Sequence, residues 1–234
     1  MDEHGGDFLL KTMKRIILSI LLSSLLTSVI AQVDYDFTIV DKKREVRGAQ
    51  SFQKDDNEIF ANAFLWAVGE GPGQKLEIID YDFNKRQLAM VYNLKKEDKV
   101  AYSCRLELKV AQGQLVFAIS DIKIIGGILG AFGNFNKLDP EKKPKHRDIL
   151  NEFQRLNNQK LDELFTFVVE HQPVITNWRN VCTGRIDRGM SVDEAMLIYG
   201  KPEGEQNDGT KTQYRFSTFV YVFVENGVVT SYVN

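Results

Sequence analysis

Histidine is almost missing from this chain: three residues in 234. One of them, His4, precedes an N-terminal apolar run, so only His146 and His171 lie beyond it. Both flank a long helical stretch among charged neighbours, and no second ligand stands at metal-binding spacing. A serine nucleophile needs a base and an orienting acid, and no Gly-x-Ser-x-Gly elbow occurs. Excess charge of one sign is missing too: 30 basic residues face 32 acidic ones, for a net charge of −2. Residues 1–31 hold three of each sign, so the rest of the chain keeps that value. So balanced a chain exerts no long-range pull on nucleic acid or anionic lipid, and nucleic-acid binding is disfavoured. There are only two cysteines, Cys104 and Cys182. No apolar run reaches the roughly 20 residues of a membrane-spanning helix.

What is present begins with an export signal. Lys14 and Arg15 form a short positive region, and Ile16–Ile30 is an uncharged apolar run diluted by Ser19, Ser23, Ser24, Thr27 and Ser28. Val29-Ile30-Ala31 supplies tolerated residues for a signal peptidase, with cleavage between Ala31 and Gln32. An uncleaved anchor is the alternative, disfavoured by the length of the run. No cysteine follows it, so lipid attachment is not expected, nor is a stable membrane span after cleavage. Asp2, Glu3 and Asp7 are wrong for a positive leader, which places the expected start at Met13. The expected location is periplasmic or secreted.

Beyond the signal the pattern is α+β. A first strand is expected over Tyr35–Val40, followed by a charged turn, Asp41–Glu45. Asp55-Asp56-Asn57-Glu58 has the short polar residues that open a helix. Ile59, Phe60, Ala63, Phe64 and Ala67 would form its apolar stripe, and Gly69, Gly71, Pro72 and Gly73 end it. Four strands follow: Leu76–Tyr81, Gln87–Asn93, Lys99–Val110 and Gln114–Ile125, with polar turns at Asn84-Lys85 and Gln112-Gly113. Asp139-Pro140 signals the start of a long helix to about Glu170. Its stripe is Ile149, Phe153, Leu156, Leu161, Leu164 and Val168, with Lys, Asn, Gln and Glu opposite.

A second unit is expected over Cys182–Asn234. Ser191-Val192-Asp193-Glu194 has capping-box spacing, and Met190 and Ala195 sit where a hydrophobic staple packs. Gly200 is expected as a left-handed cap before Pro202. Three strands, Thr212–Ser217, Thr218–Glu225 and Val228–Val233, complete the chain, the last two joined by an Asn226-Gly227 hairpin turn. The run Phe219–Val224 suits a central strand covered on both faces.

Candidate chemistry is thin. Asp80-Tyr81-Asp82-Phe83-Asn84 starts like a calcium loop, but Lys85 stands where that loop needs Gly and Val91 where it needs Glu. A polar hairpin turn accounts for it. Gly126, Gly127, Gly130 and Gly133 lack the Gly-Lys-Ser/Thr of a phosphate cradle. Their loop either folds Ile128, Leu129 and Phe132 back on the sheet or offers them, with Phe135, to a partner. Cys104 shares an apolar alternation with Tyr102, Leu106, Leu108 and Val110, so a buried core thiol is expected, a bridge to Cys182 being the alternative.

Two resemblances enter here. Tyr35–Val169 resembles an uncharacterised family of exported bacterial proteins, a domain of unknown function with a TATA-binding-protein-like fold. The matching features are Asn57-Glu58-Ile59-Phe60 with Phe64-Leu65-Trp66, Ile78-Ile79-Asp80-Tyr81-Asp82 before a hairpin, and Leu106-Glu107-Leu108-Lys109-Val110. The resemblance implies a curved antiparallel sheet with helices on one face, and no activity. Gly189-Met190-Ser191, Glu194 to Tyr199, Gly200-Lys201-Pro202 and Tyr214 through Val233 resemble the SmpA/OmlA modules. That implies a small helix and sheet in the periplasm that supports outer-membrane assembly by protein contacts.

The expected domains are therefore a signal at 1–31, a TATA-binding-protein-like domain at 32–172 and an SmpA/OmlA-like module at 182–234. The expected function is a non-enzymatic envelope module that binds another envelope protein through edge strands or the Gly126–Phe135 loop, with no cofactor and no metal. A secreted inhibitor or ligand-capturing protein is the first alternative, requiring Tyr214, Phe216, Phe219 and Tyr221 on one exposed face. A carboxylate-based hydrolase, needing two facing Asp or Glu side chains in a cleft, is the second.

Overall fold

The structure is a computed structural model that describes residues 37–40, 43–69, 76–97, 99–125 and 133–234. These fall within one compact unit, Asp34–Asn234. Alternation of large apolar and polar residues dictates its central feature. Along strand β5 (Lys99–Ala111), Tyr102, Cys104, Leu106, Leu108 and Val110 are buried. Their neighbours Ser103, Arg105, Glu107 and Lys109 point the other way, as a period of two requires. Strands β4 (Gln87–Lys96) and β6 (Gln114–Ile124) repeat the pattern, with Leu88, Met90, Tyr92 and Leu94, and Leu115, Phe117 and Ile119, on the same buried side.

These three strands form the middle of an antiparallel sheet completed by β1 (Phe37–Val40), β2 (Lys43–Ser51), β3 (Glu77–Asp82) and the two-residue β7 (Gly133–Asn134). The order is β1-β2-β6-β5-β4-β3, with β7 also on β6. Strand β2 corrects the expected charged turn. It is a nine-residue strand in which Val46 alone is buried, pairing with Ile119 of β6. With one apolar anchor and charges at Lys43, Arg44, Glu45 and Arg47, its sequence carries no alternation to betray it.

Helix α1 (Asp56–Gly69) and helix α2 (Pro144–Glu170) cover the apolar side. The Asp55 carboxylate caps α1, accepting from the amides of Asn57 and Glu58 at 2.8 and 3.0 Å. Asp56 accepts from the amides of Gln112 and Gly113, tying the helix start to the β5–β6 turn. The expected apolar stripe on α1 is in fact a sleeve: every residue from Ile59 to Ala67 is buried. Asn62, within the sleeve, donates to the carbonyls of Val168 and His171 at 3.2 and 3.1 Å. Lys54 adds a third bond to the His171 carbonyl at 2.6 Å. The exposed C-terminal carbonyls of α2 thus find donors on α1 and just before it.

Helix α2 starts later than its sequence signal. Asp139 closes a turn, accepting from the amides of Glu141 and Lys142, and Pro144 takes the first helical position. Phe153, Leu156, Leu161, Leu164 and Val168 are buried as expected, while Leu150 replaces Ile149 in the core. Asn157, Asn158 and Lys160, expected on the polar side, are buried too. Tyr92 donates its hydroxyl to Asn157, and the Lys160 ammonium lies 5.0 Å from the Trp66 ring centre.

The chain then passes through helix α3 (Trp178–Cys182) and helix α4 (Val192–Tyr199) into a second antiparallel sheet. The capping box on α4 forms as its spacing implies, with Ser191 accepting from the Glu194 amide and Glu194 from the Ser191 amide. Met190 and Ala195, the staple pair, are both buried. Gly200 has φ 82° but ψ −157°, outside the left-handed helical region, and its amide still bonds the Met196 carbonyl at 2.9 Å. The second sheet has four strands instead of three: β8 (Gly204–Asn207), β9 (Thr212–Arg215), β10 (Tyr221–Glu225) and β11 (Val228–Val233), in the order β11-β10-β9-β8. Asn226 and Gly227 make the tight β10–β11 turn at φ 52° and 78°. The Phe219–Val224 run is not a strand covered on both faces. It starts pairing at Tyr221, alternates in burial and leaves Phe219 77% exposed.

Glu194 ties helix α4 to the segment that leaves α2. Its carboxylate is completely buried and accepts from the Thr176 amide at 2.7 Å, the Thr176 hydroxyl at 2.8 Å and the Ser191 amide at 2.7 Å. The Asn177 amide is a fourth donor. Trp178 follows and sets its ring edge-on to Phe60 of α1 and to Phe83, at 6.5 and 5.8 Å. Removing the carboxylate takes the acceptor from four donors, of which the Ser191 amide is buried. Glu194→Ala is expected to lower stability by about 3 kcal/mol or more. Ser191→Ala, which loses the cap acceptor and the hydroxyl's bond to the Val174 carbonyl, should cost about 1–2 kcal/mol. Urea unfolding followed by circular dichroism checks both, and equal losses would contradict the assignment.

Candidate binding face

Helices seal one side of the larger sheet and leave the other open. The register arranges the open side in rows that run across the strands. In one row Arg47 pairs with Ala118, Ala118 with Glu107, Glu107 with Ala89 and Ala89 with Asp80. The next row runs from Ala49 through Val116, Lys109 and Gln87 to Asp82. Alanines between long charged side chains leave a trough, with Ala89 and Ala118 on its floor, and the recess measures about 480 Å³.

The trough carries charges of both signs. Cations come from β2, β5 and the β3–β4 turn (Arg47, Arg105, Lys109 and Lys85), and anions from β3 and β5 (Asp80, Asp82 and Glu107). Several are neutralised by neighbours: Arg47 by Glu45 at 2.7 Å, Arg105 by Glu107 at 2.8 Å and Asp82 by Lys85 at 3.0 Å. Lys109 and Asp80 make no ion pair among the described residues. The Lys85 backbone amide, then the Lys85 ammonium, hold the Asp82 carboxyl below the usual carboxylate range. The Asp80–Asn84 segment is therefore the end of a strand and a polar hairpin turn. A general acid would need the opposite shift from the one Asp82 shows.

A second recess of about 350 Å³ lies on the helical side, between Trp66, Phe167, His171 and Met196. The His171 ring stacks on Phe167 at 4.8 Å. His146 accepts from the Asp139 amide through Nδ1 at 2.8 Å, and so helps to shape the turn before α2.

Of the four residues expected to contact a partner, Ile128, Leu129 and Phe132 lie outside the described residues, as do Ala31 and Gln32 of the cleavage site. Phe135 is described and does not face solvent. It is fully buried, 4.9 Å from the Phe153 ring and 6.3 Å from that of Tyr102. The four C-terminal aromatics do not share one exposed face: Phe216 is buried, Tyr214 and Tyr221 are half-buried and Phe219 is exposed. That split removes the feature on which the inhibitor reading depended. Both cysteines are free. Cys104 is buried among the core strands, and burial pushes its thiol well up; the Cys182 thiol is also raised, chiefly by burial.

Sequence reasoning missed the trough because its parts lie on five strands and none is unusual alone. Two signals were present. The polar partners of the β5 alternation all point one way, and alanines recur at facing positions of β4 and β6.

No family model matches the chain, and no curated protein matches it. Among solved structures, the chain is similar to a TBP-like protein from Parabacteroides distasonis ATCC 8503. The two are 11% identical with a TM-score of 0.47, over 58% of this chain and 98% of that one. It is also similar to a DUF4468 family protein from Bacteroides ovatus ATCC 8483, at 12% identity and a TM-score of 0.41, over 59% of this chain and 89% of that one.

The Asp82 shift has a testable sign. A carboxyl held below its unfolded value of 3.8 stabilises the fold fully above that pH and loses the contribution as pH falls through its folded value. Asp82→Asn should therefore lower the Tm at pH 7, and the gap to the parent should close as the pH falls below 3.8 and through the folded-state value. Scanning calorimetry from pH 7 to pH 2.5 measures it, and a gap that widens in acid would refute the assignment.

Proposed function

We propose that the chain is an exported, non-enzymatic envelope module that binds another protein on the open face of its larger sheet. The supporting observation is the asymmetry of that sheet. Two helices cover one side, while the other presents a trough floored with alanine and rimmed by both signs of charge. Protein partners are selected by such complementary charge patterns, which steer encounter and suppress wrong pairings. Export rests on the Met13–Ala31 segment, with Ala31–Gln32 as the cleavage point and a periplasmic or secreted destination. The SmpA/OmlA-like reading of the C-terminal unit belongs to the same proposal: a small helix-and-sheet module working through protein contacts. Among the described residues no helix is long and apolar enough to cross a membrane. The chain needs no cofactor in this role.

Two measurements test it. A photo-crosslinking residue at Ala118, on the trough floor, should yield a discrete adduct in cells, and the same residue at Arg155, on the exposed side of α2, should not. Equal labelling at both would refute docking on the open face. Mass spectrometry of the chain recovered from the envelope fraction should find an N-terminus at Gln32, and recovery from the cytosol with Met13 intact would refute export.

A further inference from the structure

The trough has a second level of order in its two unpaired charges. Lys109 of β5 and Asp80 of β3 line the same recess and make no ion pair among the described residues. Their neighbours Arg47, Arg105 and Asp82 are each engaged. Lys109 pairs with Gln87, which pairs with Asp82, and Asp80 lies two positions along β3 from Asp82. The two charges are thus separated by two interstrand spacings, about 10 Å, and by two residues along a strand, about 7 Å. The diagonal is about 12 Å. Ala89 and Gln87 lie between them, flanked by Glu107 and Asp82, which are already paired with Arg105 and Lys85.

An extended polypeptide puts alternate side chains on one face, and side chains four residues apart are about 13 Å apart. That length matches the diagonal, while charges two residues apart, at about 7 Å, fall short. We propose that the trough receives an extended segment of the partner bearing an acidic and a basic side chain four residues apart. The acid pairs with Lys109 and the base with Asp80. The residues between them cross the sheet obliquely over Ala89. Backbone groups of β4, β5 and β6 beneath the trough are already paired, so recognition rests on side chains and falls with added salt. This inference depends on the docking reading above and names the chemistry of the docked segment.

The probe is the capped heptapeptide acetyl-Thr-Glu-Thr-Val-Thr-Lys-Thr-amide, titrated into the isotope-labelled chain and followed by amide NMR shifts. The control, acetyl-Thr-Thr-Glu-Lys-Val-Thr-Thr-amide, has the same composition with adjacent charges. The first peptide is expected to shift Gln87, Ala89 and Lys109 and to bind at least fivefold more tightly than the control. Lys109→Glu and Asp80→Lys should each weaken it at least fivefold, and the double variant, which exchanges the two charges, should regain it. Both sites are exposed, and a far-ultraviolet spectrum like the parent's confirms the fold of each variant. Equal binding of the two peptides, or a folded double variant that fails to recover, overturns the inference. If Ala118 crosslinks a partner in cells while the first peptide shifts nothing, the dipolar segment is refuted and docking on the open face stands.

Discussion

A buried carboxylate with four donors holds the two halves of this molecule in register. Glu194 belongs to the first turn of the C-terminal helix, yet three of its four donors come from Thr176 and Asn177, in the stretch that leaves the long helix α2. A charge out of water is costly unless its hydrogen-bonding capacity is filled, and here the linker's own amides fill it. The position of the linker in turn sets Trp178 edge-on to Phe60 and Phe83. Ser191 completes the lock by donating its hydroxyl to the Val174 carbonyl while accepting from the Glu194 amide. The capping box, a local device in most helices, here carries the tertiary junction.

The same economy governs the large sheet. Strands β2, β4, β5 and β6 bury their apolar positions on the side that α1 and α2 cover. The opposite positions must then be tolerable in water, and the charged and small residues of β2, β4, β5 and β6 meet that requirement. Neighbouring residues on one strand pair up, as in Glu45 with Arg47 and Arg105 with Glu107. Such exposed pairs add little to stability. Their consequence is a face that stays soluble, resists sheet-on-sheet collapse and retains a patterned charge for recognition.

Strong periodicity made much of the fold legible. The β4, β5 and β6 strands, the capping box at Ser191, the Asn226-Gly227 turn and the burial of Cys104 follow from local patterns alone. The failures have physical causes. Strand β2 is held by a single buried side chain, Val46, and by pairing to β6, so its sequence resembles a turn. The edge strand β8 is polar throughout, Gly204-Glu205-Gln206-Asn207, because it is added to a sheet already formed. Asn157 and Asn158 are buried because α2 meets protein on more than one side, which a single stripe does not disclose. The trough could not be found by scanning, since its residues converge only through register.

The sleeve of buried residues on α1 also governs how the chain reaches its fold. The nine-residue stretch Ile59–Ala67, buried all round the helix, has no face that water tolerates. Its covers come from β5 and β6, from α2, and from Trp178 and α4 far along the sequence. Contacts so distant in sequence form slowly, because closing long loops precedes any reward from packing. Until residues near 178–199 arrive, α1 carries uncovered aromatic surface of the kind that draws chaperones or drives aggregation. The helix that the sequence announces most clearly is thus among the last to become safe.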